Sequence, residues 1–232
     1  MKIKKCFLDQ LLKTLHEEKM ISKEIIVIRH ARSNHNIRKT DDLDGEISDF
    51  GVRQAINVGD YLSSEFDLKD YSFFTSPFLR CVQTADIISK KTNHTPIVDE
   101  KIKESLNHYN AKVLIKNHKE KFPNFVWDSI NEKGIECGPE FNEHFLNRMF
   151  NFYHDLPQKS IVVTHGLPAI LLINIASNPM IKNIPVWDYS IDNCSISVVK
   201  KGRIVWHGRN LYNEFDYNKE LYYSDIHDLH KK

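Results

Sequence analysis

The chain lacks any apolar run near the roughly 18 to 20 residues that a bilayer-spanning helix requires, which excludes that class of membrane protein at the level of sequence. Its first stretch, Met1 to Met20, intersperses Lys, Asp and Glu among the leucines, where an export signal would be uniformly apolar. It also lacks a charge excess: 32 Lys and Arg face 31 Asp and Glu, a formal net charge of +1. No global field therefore draws the protein to nucleic acid or to an anionic membrane, and any anion must be caught by a few local groups. Cysteine is sparse. The four present, Cys6, Cys81, Cys137 and Cys194, lie far apart, so a zinc knuckle, a redox pair and a disulfide framework are all unexpected. Reduced thiols and a cytoplasmic location fit best. His94, His108, His118, His144 and His154 are not spaced as a helical metal pair, and no carboxylate cluster joins them; neither a metal nor a cofactor is expected. Repeats and low-complexity segments are absent.

What remains is an ordinary globular composition, 41% apolar and 27% charged over 232 residues, the size of one domain with decoration. Ile3, Phe7, Leu8, Leu11, Leu12 and Leu15 recur at three- and four-residue spacing, predicting an amphipathic helical extension over residues 1–22. The main domain follows over 23–210. Its pattern predicts a buried strand at 24–29, a helix at 49–66 and a second strand at 71–75. Ser76 and Pro77 read as the N-cap and first position of a helix running to about Lys90, because Ser accepts orphan amide bonds and Pro needs none. A brief strand at 97–99 precedes an irregular insertion at about 100–138. Next come a helix at 139–156, a strand at 160–164, a helix at 168–176 with a proline in its first turn, and a hairpin at 195–199 and 204–207. Residues 211–232 read as a polar surface tail. Strands alternating with helices predict a three-layer α/β/α sandwich around a mainly parallel sheet, with ligands where strands end in loops.

Three of those ends carry unusual side chains: Arg29 and His30 after the first strand, Arg80 just beyond the second, and His165 with Gly166 after the strand at 160–164. Guanidinium forks pair with phosphate oxygens and stay charged at any relevant pH. Phosphoryl transfer needs mainly positioning and charge stabilisation, so two arginines and two histidines suit a phosphate nest in which an imidazole attacks phosphorus. Arg80 lies in the first turn of its helix, where amides also favour anions.

The run Arg29, His30, Ala31, Arg32, Ser33, Asn34, His35, Asn36 resembles the RHG-type signature of histidine phosphatases, of the phosphoglycerate mutase-like superfamily. Ile47, Ser48, Gly51, Gln54 and Ala55 resemble that family's helix start. Ser76, Pro77, Arg80, Gln83, Thr84 and Ala85 resemble its second-arginine segment, and Val163 to Gly166 its second-histidine segment. Four blocks in order are far more specific than one. The resemblance implies His30 as a nucleophile forming a phosphohistidine, phosphate binding by Arg29, Arg80, His165 and Gly166, and a pocket lined by Ser33 and Asn36. It implies a proton donor after the third strand, with Glu104 first and Glu100 as its rival. Two positions depart from the pattern: Ala31 stands where the family has glycine, and Arg32 where it has an acid or amide, read equally as a surface residue or an added phosphate contact. Lys101, Lys103, Lys112 and Lys116 read as an exposed face or as receivers of a second acidic group. The implied function is metal-independent hydrolysis of a small phosphorylated substrate. A bisphosphate-dependent mutase and a non-catalytic phospho-ligand binding module are the alternatives.

Overall fold

The fold is described from a computed structural model over residues 22–37, 39–40, 42, 44–104, 139–178 and 191–211, with the backbone alone for 139–144. The helical extension at 1–22, the tail at 211–232 and the insertion beyond Glu104 fall almost wholly outside those residues. In chain order the elements are β1 (Glu24–Arg29), α1 (Asp49–Glu65), β2 (Ser72–Thr75), α2 (Leu79–Thr92), β3 (Ile97–Val98), a 3-10 turn (Glu100–Ile102), α3 (Pro139–Asp155), β4 (Lys159–Thr164), α4 (Gly166–Ser177), β5 (Ile196–Lys200) and β6 (Arg203–Arg209). They form one six-stranded sheet in the order β3-β2-β4-β1-β5-β6. The first four strands in that order run parallel, and β5 and β6 complete the sheet as an antiparallel hairpin. Among the described residues no helix is long and apolar enough to cross a membrane.

β1 is covered on both faces, which is why it reads as a continuous apolar run rather than an alternating one. Ile25 and Val27 pack with α3 and α4, against Phe145, Met149, Phe152 and Leu172. Ile26 and Ile28 pack on the other face with α1 and α2, against Ala55, Val58, Leu62, Cys81 and Ile88. The helix-bearing connections after β1 and β2 thus go to one face, while β4 runs on into α4 on the other. Where neighbouring parallel strands send their connections to opposite faces, a crevice opens at their carboxyl ends. The register aligns those ends, pairing Arg29 with Thr164 and Thr75 with Val163.

Element ends fall within about three residues of the predicted bounds. α1 begins as the sequence indicates, because the Ser48 hydroxyl accepts from Gly51 N at 3.1 Å. α2 does not. Its N-cap is Phe78, held extended at φ −65 and ψ 138, and the first helical amide, Leu79 N, donates to Asp44 Oδ1 at 2.6 Å. The expected cap, Ser76, lies two residues too early, and its hydroxyl instead accepts from a buried imidazole at 2.8 Å. α2 ends on Asn93 in the left-handed conformation (φ 57), with Lys90 and Lys91 in the last turn. Pro168 does lie in the first turn of α4, although that helix starts two residues earlier. The hairpin turns through Lys201 and Gly202, both at positive φ.

Lys23, just ahead of β1, is 2% exposed. Its ammonium closes the end of α3, donating to the carbonyls of Tyr153, His154 and Leu156 at 2.5, 2.9 and 2.7 Å. Lys23→Met keeps the stem and strands those carbonyls, and is expected to cost about 2 to 3 kcal/mol, read as a lowered urea midpoint at unchanged slope. A midpoint within error of wild type would refute this role.

Candidate active site

His30 follows β1 directly, and its own amide donates to the Thr164 carbonyl at 2.7 Å, so the strand ladder extends one residue into the site. The ring is 2% exposed. Nδ1 lies 2.8 Å from the Ala31 carbonyl, which assigns it the proton and leaves Nε2 as a bare lone pair. That lone pair accepts from Arg80 Nε at 3.1 Å. The other arm of the same guanidinium, Nη2, is 3.0 Å from His165 Nδ1. His165, the N-cap residue of α4, then donates from Nε2 to the Ser76 hydroxyl at 2.8 Å. The two imidazole centroids stand 5.3 Å apart.

Arg29 reaches the same place from the end of β1. Its Nη1 donates to the Ile191 carbonyl at 2.5 Å, and its guanidinium passes the first residue of α4, where a Cβ on Gly166 would meet Nε at 3.7 Å, an ordinary contact. Gly166 is thus adjacent to the nest without being forced to be glycine by that neighbour. The Glu104 carboxylate comes within 3.8 Å of His165 Nδ1 and is about a quarter exposed, open to solvent on one side. Glu100 sits on the exposed start of the 3-10 turn, so the structure brings Glu104 and not its rival to the histidines. Lys101 points outward to Asp155 at 3.0 Å, whereas Lys103 is 4% exposed, which corrects the reading of a uniformly exposed lysine face.

Ser33 and Asn36 form a closed loop motif. Asn36 Oδ1 accepts from Ser33 N at 3.1 Å and Ser33 Oγ at 3.0 Å, and from Asn193 Nδ2 at 3.3 Å. Asn193 also donates to the His30 carbonyl at 3.0 Å, linking this loop to the nucleophile position. Sequence reading missed Asn193. It precedes Cys194, whose φ of 58 bends the chain into β5, and a polar residue at such a bend is the signal available in sequence.

The two departures resolve locally. Ala31 is absent from the non-glycine residues with left-handed backbone, Asn93, Cys194 and Lys201, and its methyl joins the core beside Ile28, so no glycine freedom is needed there. Arg32 is 5% exposed with its guanidinium 5.9 Å from the Phe50 ring centre, which overturns the surface reading. Its backbone is heavily used: the carbonyl accepts from Ser48 N at 2.7 Å and the amide donates to Gln54 Oε1 at 3.0 Å. A Cβ on Gly51 would lie 2.3 Å from that carbonyl oxygen, so here glycine is required by close approach of helix and loop.

Both imidazoles are held well below their ordinary value. Burial is the largest cause, followed for His30 by the charges of Arg80 and Arg29, and for His165 by Arg80, its fellow imidazole, Arg29 and Arg148. A neutral imidazole unprotonated at Nε2 is the form able to attack an electrophile, and Arg80 Nε, now bonded to that nitrogen, would have to give way first. Cys81, with Sγ 3.5 Å from His165 Nε2, has its thiol pushed far up by burial and serves as a neutral packing group. Among the described residues no three His, Cys, Asp or Glu side chains group as a metal site.

The chain belongs to the histidine phosphatase superfamily, branch 1, whose family profile matches residues 25–213. Similar solved structures include a mycobacterial glucosyl-3-phosphoglycerate phosphatase complexed with VO3, at 18% identity over 80% of this chain and 96% of that one, TM-score 0.50. A phosphoglycerate mutase from Bacillus anthracis str. Sterne aligns at 18% identity over 83% and 96%, TM-score 0.50. Mycobacterial hydrolase 2 aligns at 17% over 87% and 97%, TM-score 0.52. These likenesses concern the fold, a mostly parallel sheet flanked by helices. No curated protein matches the chain.

Burial of two neutral imidazoles sets a pH dependence. Once unfolded, each titrates near 6.5, so below that pH the unfolded chain binds more protons than the folded one. Stability from this source is present above 6.5 and is lost as pH falls, by up to about 1.4 kcal/mol per pH unit for each ring. Urea midpoints between about pH 7 and pH 5 should drop less steeply in a His30→Gln, His165→Gln double variant than in wild type. Equal slopes would refute the assignment.

Proposed function

We propose that the protein is a metal-independent phosphomonoesterase that acts through a phosphohistidine on a small phosphorylated substrate. The observation that carries this reading is the Arg80 fork, bonded at once to His30 Nε2 and His165 Nδ1, with the Glu104 carboxylate beside the second ring. A tetrahedral phosphoryl group entering that nest takes the guanidinium donors of Arg80 and Arg29 on its oxygens and exposes phosphorus to the Nε2 lone pair. The Nε2–P bond forms as the P–O ester bond breaks, and the leaving oxygen takes its proton from Glu104. Water then attacks phosphorus and gives a proton to the Glu104 carboxylate, while the P–N electron pair returns to His30. The carbonyl of Ala31 keeps Nδ1 protonated and stabilises the charge that builds on the ring during attack. The Asn36–Asn193 pair steadies the loop beside it.

The test is phosphate release from an aryl phosphate with chelator present, alongside phosphoglycerates, sugar phosphates, nucleotides and phosphopeptides read for free phosphate and for isomerised product. Wild type should hydrolyse, His30→Ala should fall to background, and labelled phosphate should be trapped on the wild-type protein as an acid-labile phosphoramidate. Full activity in His30→Ala, or no release by wild type, would overturn the proposal. Isomerised product in excess of free phosphate would select a mutase, and retained micromolar phospho-ligand affinity without turnover a binding module.

A further inference from the structure

Glu104 is carried on chain with little regular structure of its own. The 3-10 turn is three residues long, and Lys103 after it is extended at φ −64 and ψ 161. Three consecutive carbonyls leading into Glu104 are nevertheless each gripped by a side chain from another element. Arg148 Nη1, from α3, donates to the carbonyls of Lys101 at 2.5 Å and Lys103 at 3.0 Å. Thr164 Oγ1, at the end of β4 and next to His165, donates to the Ile102 carbonyl between them at 2.6 Å. Ile102 is fully buried in the core, and the Arg148 guanidinium lies 4.9 Å from the ring centre of fully buried Phe145, which fixes its direction. The carbonyls of the turn's last two residues and of Lys103 after it are thus all satisfied by side chains, which restrains the backbone leading into Glu104.

We infer that Arg148 is a positioning residue for the proton donor, binding the Lys101 and Lys103 carbonyls so that the Glu104 carboxylate is held beside His165. The inference rests on the reading of Glu104 as the acid in the proposed reaction. Arg148 reaches Glu104's segment through backbone carbonyls. Its charge also contributes, after those of Arg80, His30 and Arg29, to keeping His165 neutral. Nothing in the sequence around Arg148 marks it, because its partners are two carbonyls more than forty residues upstream.

A leaving group that departs only with a proton depends on the acid, and one that departs readily as an anion does not. Wild type, Glu104→Gln, Arg148→Met, Arg148→Lys and Thr164→Val are therefore compared on glycerol phosphate and on 4-nitrophenyl phosphate. In single-turnover phosphoenzyme formation, Glu104→Gln should slow transfer from glycerol phosphate by about 10²- to 10⁴-fold and from the nitrophenyl ester by only several-fold, while hydrolysis of the phosphoenzyme, where Glu104 is the base, slows alike after either ester. Arg148→Met should show the same selectivity at about tenfold or more, since small misplacements of a reacting group cost that much. Arg148→Lys should recover part of the loss, and adding Arg148→Met to Glu104→Gln should cost nothing further. Thr164→Val removes the middle grip without touching Arg148 and should give a smaller loss of the same selectivity, which keeps the test intact if Arg148→Met fails to fold. Equal slowing of phosphoenzyme formation from both esters by Arg148→Met, a change in KM alone, or additive loss in the double variant overturns the positioning role. If instead Glu104→Gln is itself unselective, Glu104 is not the acid, and if wild type cleaves neither ester the phosphatase reading falls.

Discussion

The Arg80 guanidinium reaches one imidazole with Nε and the other with Nη2, and this fork fastens α2 to the carboxyl ends of β1 and β4. It also sets the electrostatics. Burial and fixed positive charge both disfavour imidazolium, so the nest keeps its cationic character in two arginines that cannot lose a proton, while the ring proposed as nucleophile stays neutral. In the proposed reaction an incoming phosphate dianion would pair with the arginines while the attacking ring keeps its lone pair. The same fork would be a poor place for a neutral ligand, which would have to displace charge-assisted bonds and return nothing of equal strength.

The fork needs its backing held still, and the loop between β1 and α1 supplies much of that. Arg32 meets α1 backbone to backbone at Gly51, Ser48 and Gln54 tie the loop to that helix, and Thr84 accepts from the Ala31 amide at 2.9 Å. On the side of α2, Gln83 accepts from Ile47 N at 2.9 Å and Asp44 accepts from Leu79 N, one residue before Arg80. Loop and arginine therefore move together. This explains how the family's glycine and its acid or amide can be replaced by Ala31 and Arg32 with the geometry intact: the contacts that matter at these two positions are made by backbone atoms, which every residue has.

Glu104 is organised from the opposite face. Arg148 comes from α3 and Thr164 from β4, so the candidate acid is referenced to the same strand that presents His165. The proposed nucleophile and acid are thus set by different helical layers, α1 and α2 for one and α3 for the other, with the carboxyl edge of the sheet as their common frame. That division follows from the switch of connections between β4 and its two parallel neighbours.

Much of this was legible in one dimension. Apolar patterning marked β1, β2, β4, β5 and the four α-helices, because burial against a sheet imposes a period of two or an unbroken run, and burial of a helix face imposes a period near 3.6, whereas β3 and β6 are largely exposed and the 3-10 turn at Glu100–Ile102 lay inside the predicted insertion. Arg29, His30, Arg80 and His165 stood out because charged and titratable residues at the ends of buried strands have no packing reason to be there. The Ser76 cap was misjudged since a hydroxyl chooses among partners that local sequence does not contain, and the partner it found lies 89 positions away. Asp44 and Arg148 were invisible for the same reason, and Asn193 showed only as a polar residue at a bend: each acts on a backbone group brought near only by the sheet register and the helix layers. By itself, the order of residues determined which segments could be strands and helices and which side chains could bind phosphate, since those depend on neighbours within a few positions. The tertiary structure alone decided which nitrogen carries each proton, which carboxylate faces the histidines and which groups hold them, because hydrogen bonding and burial are set by distance in space.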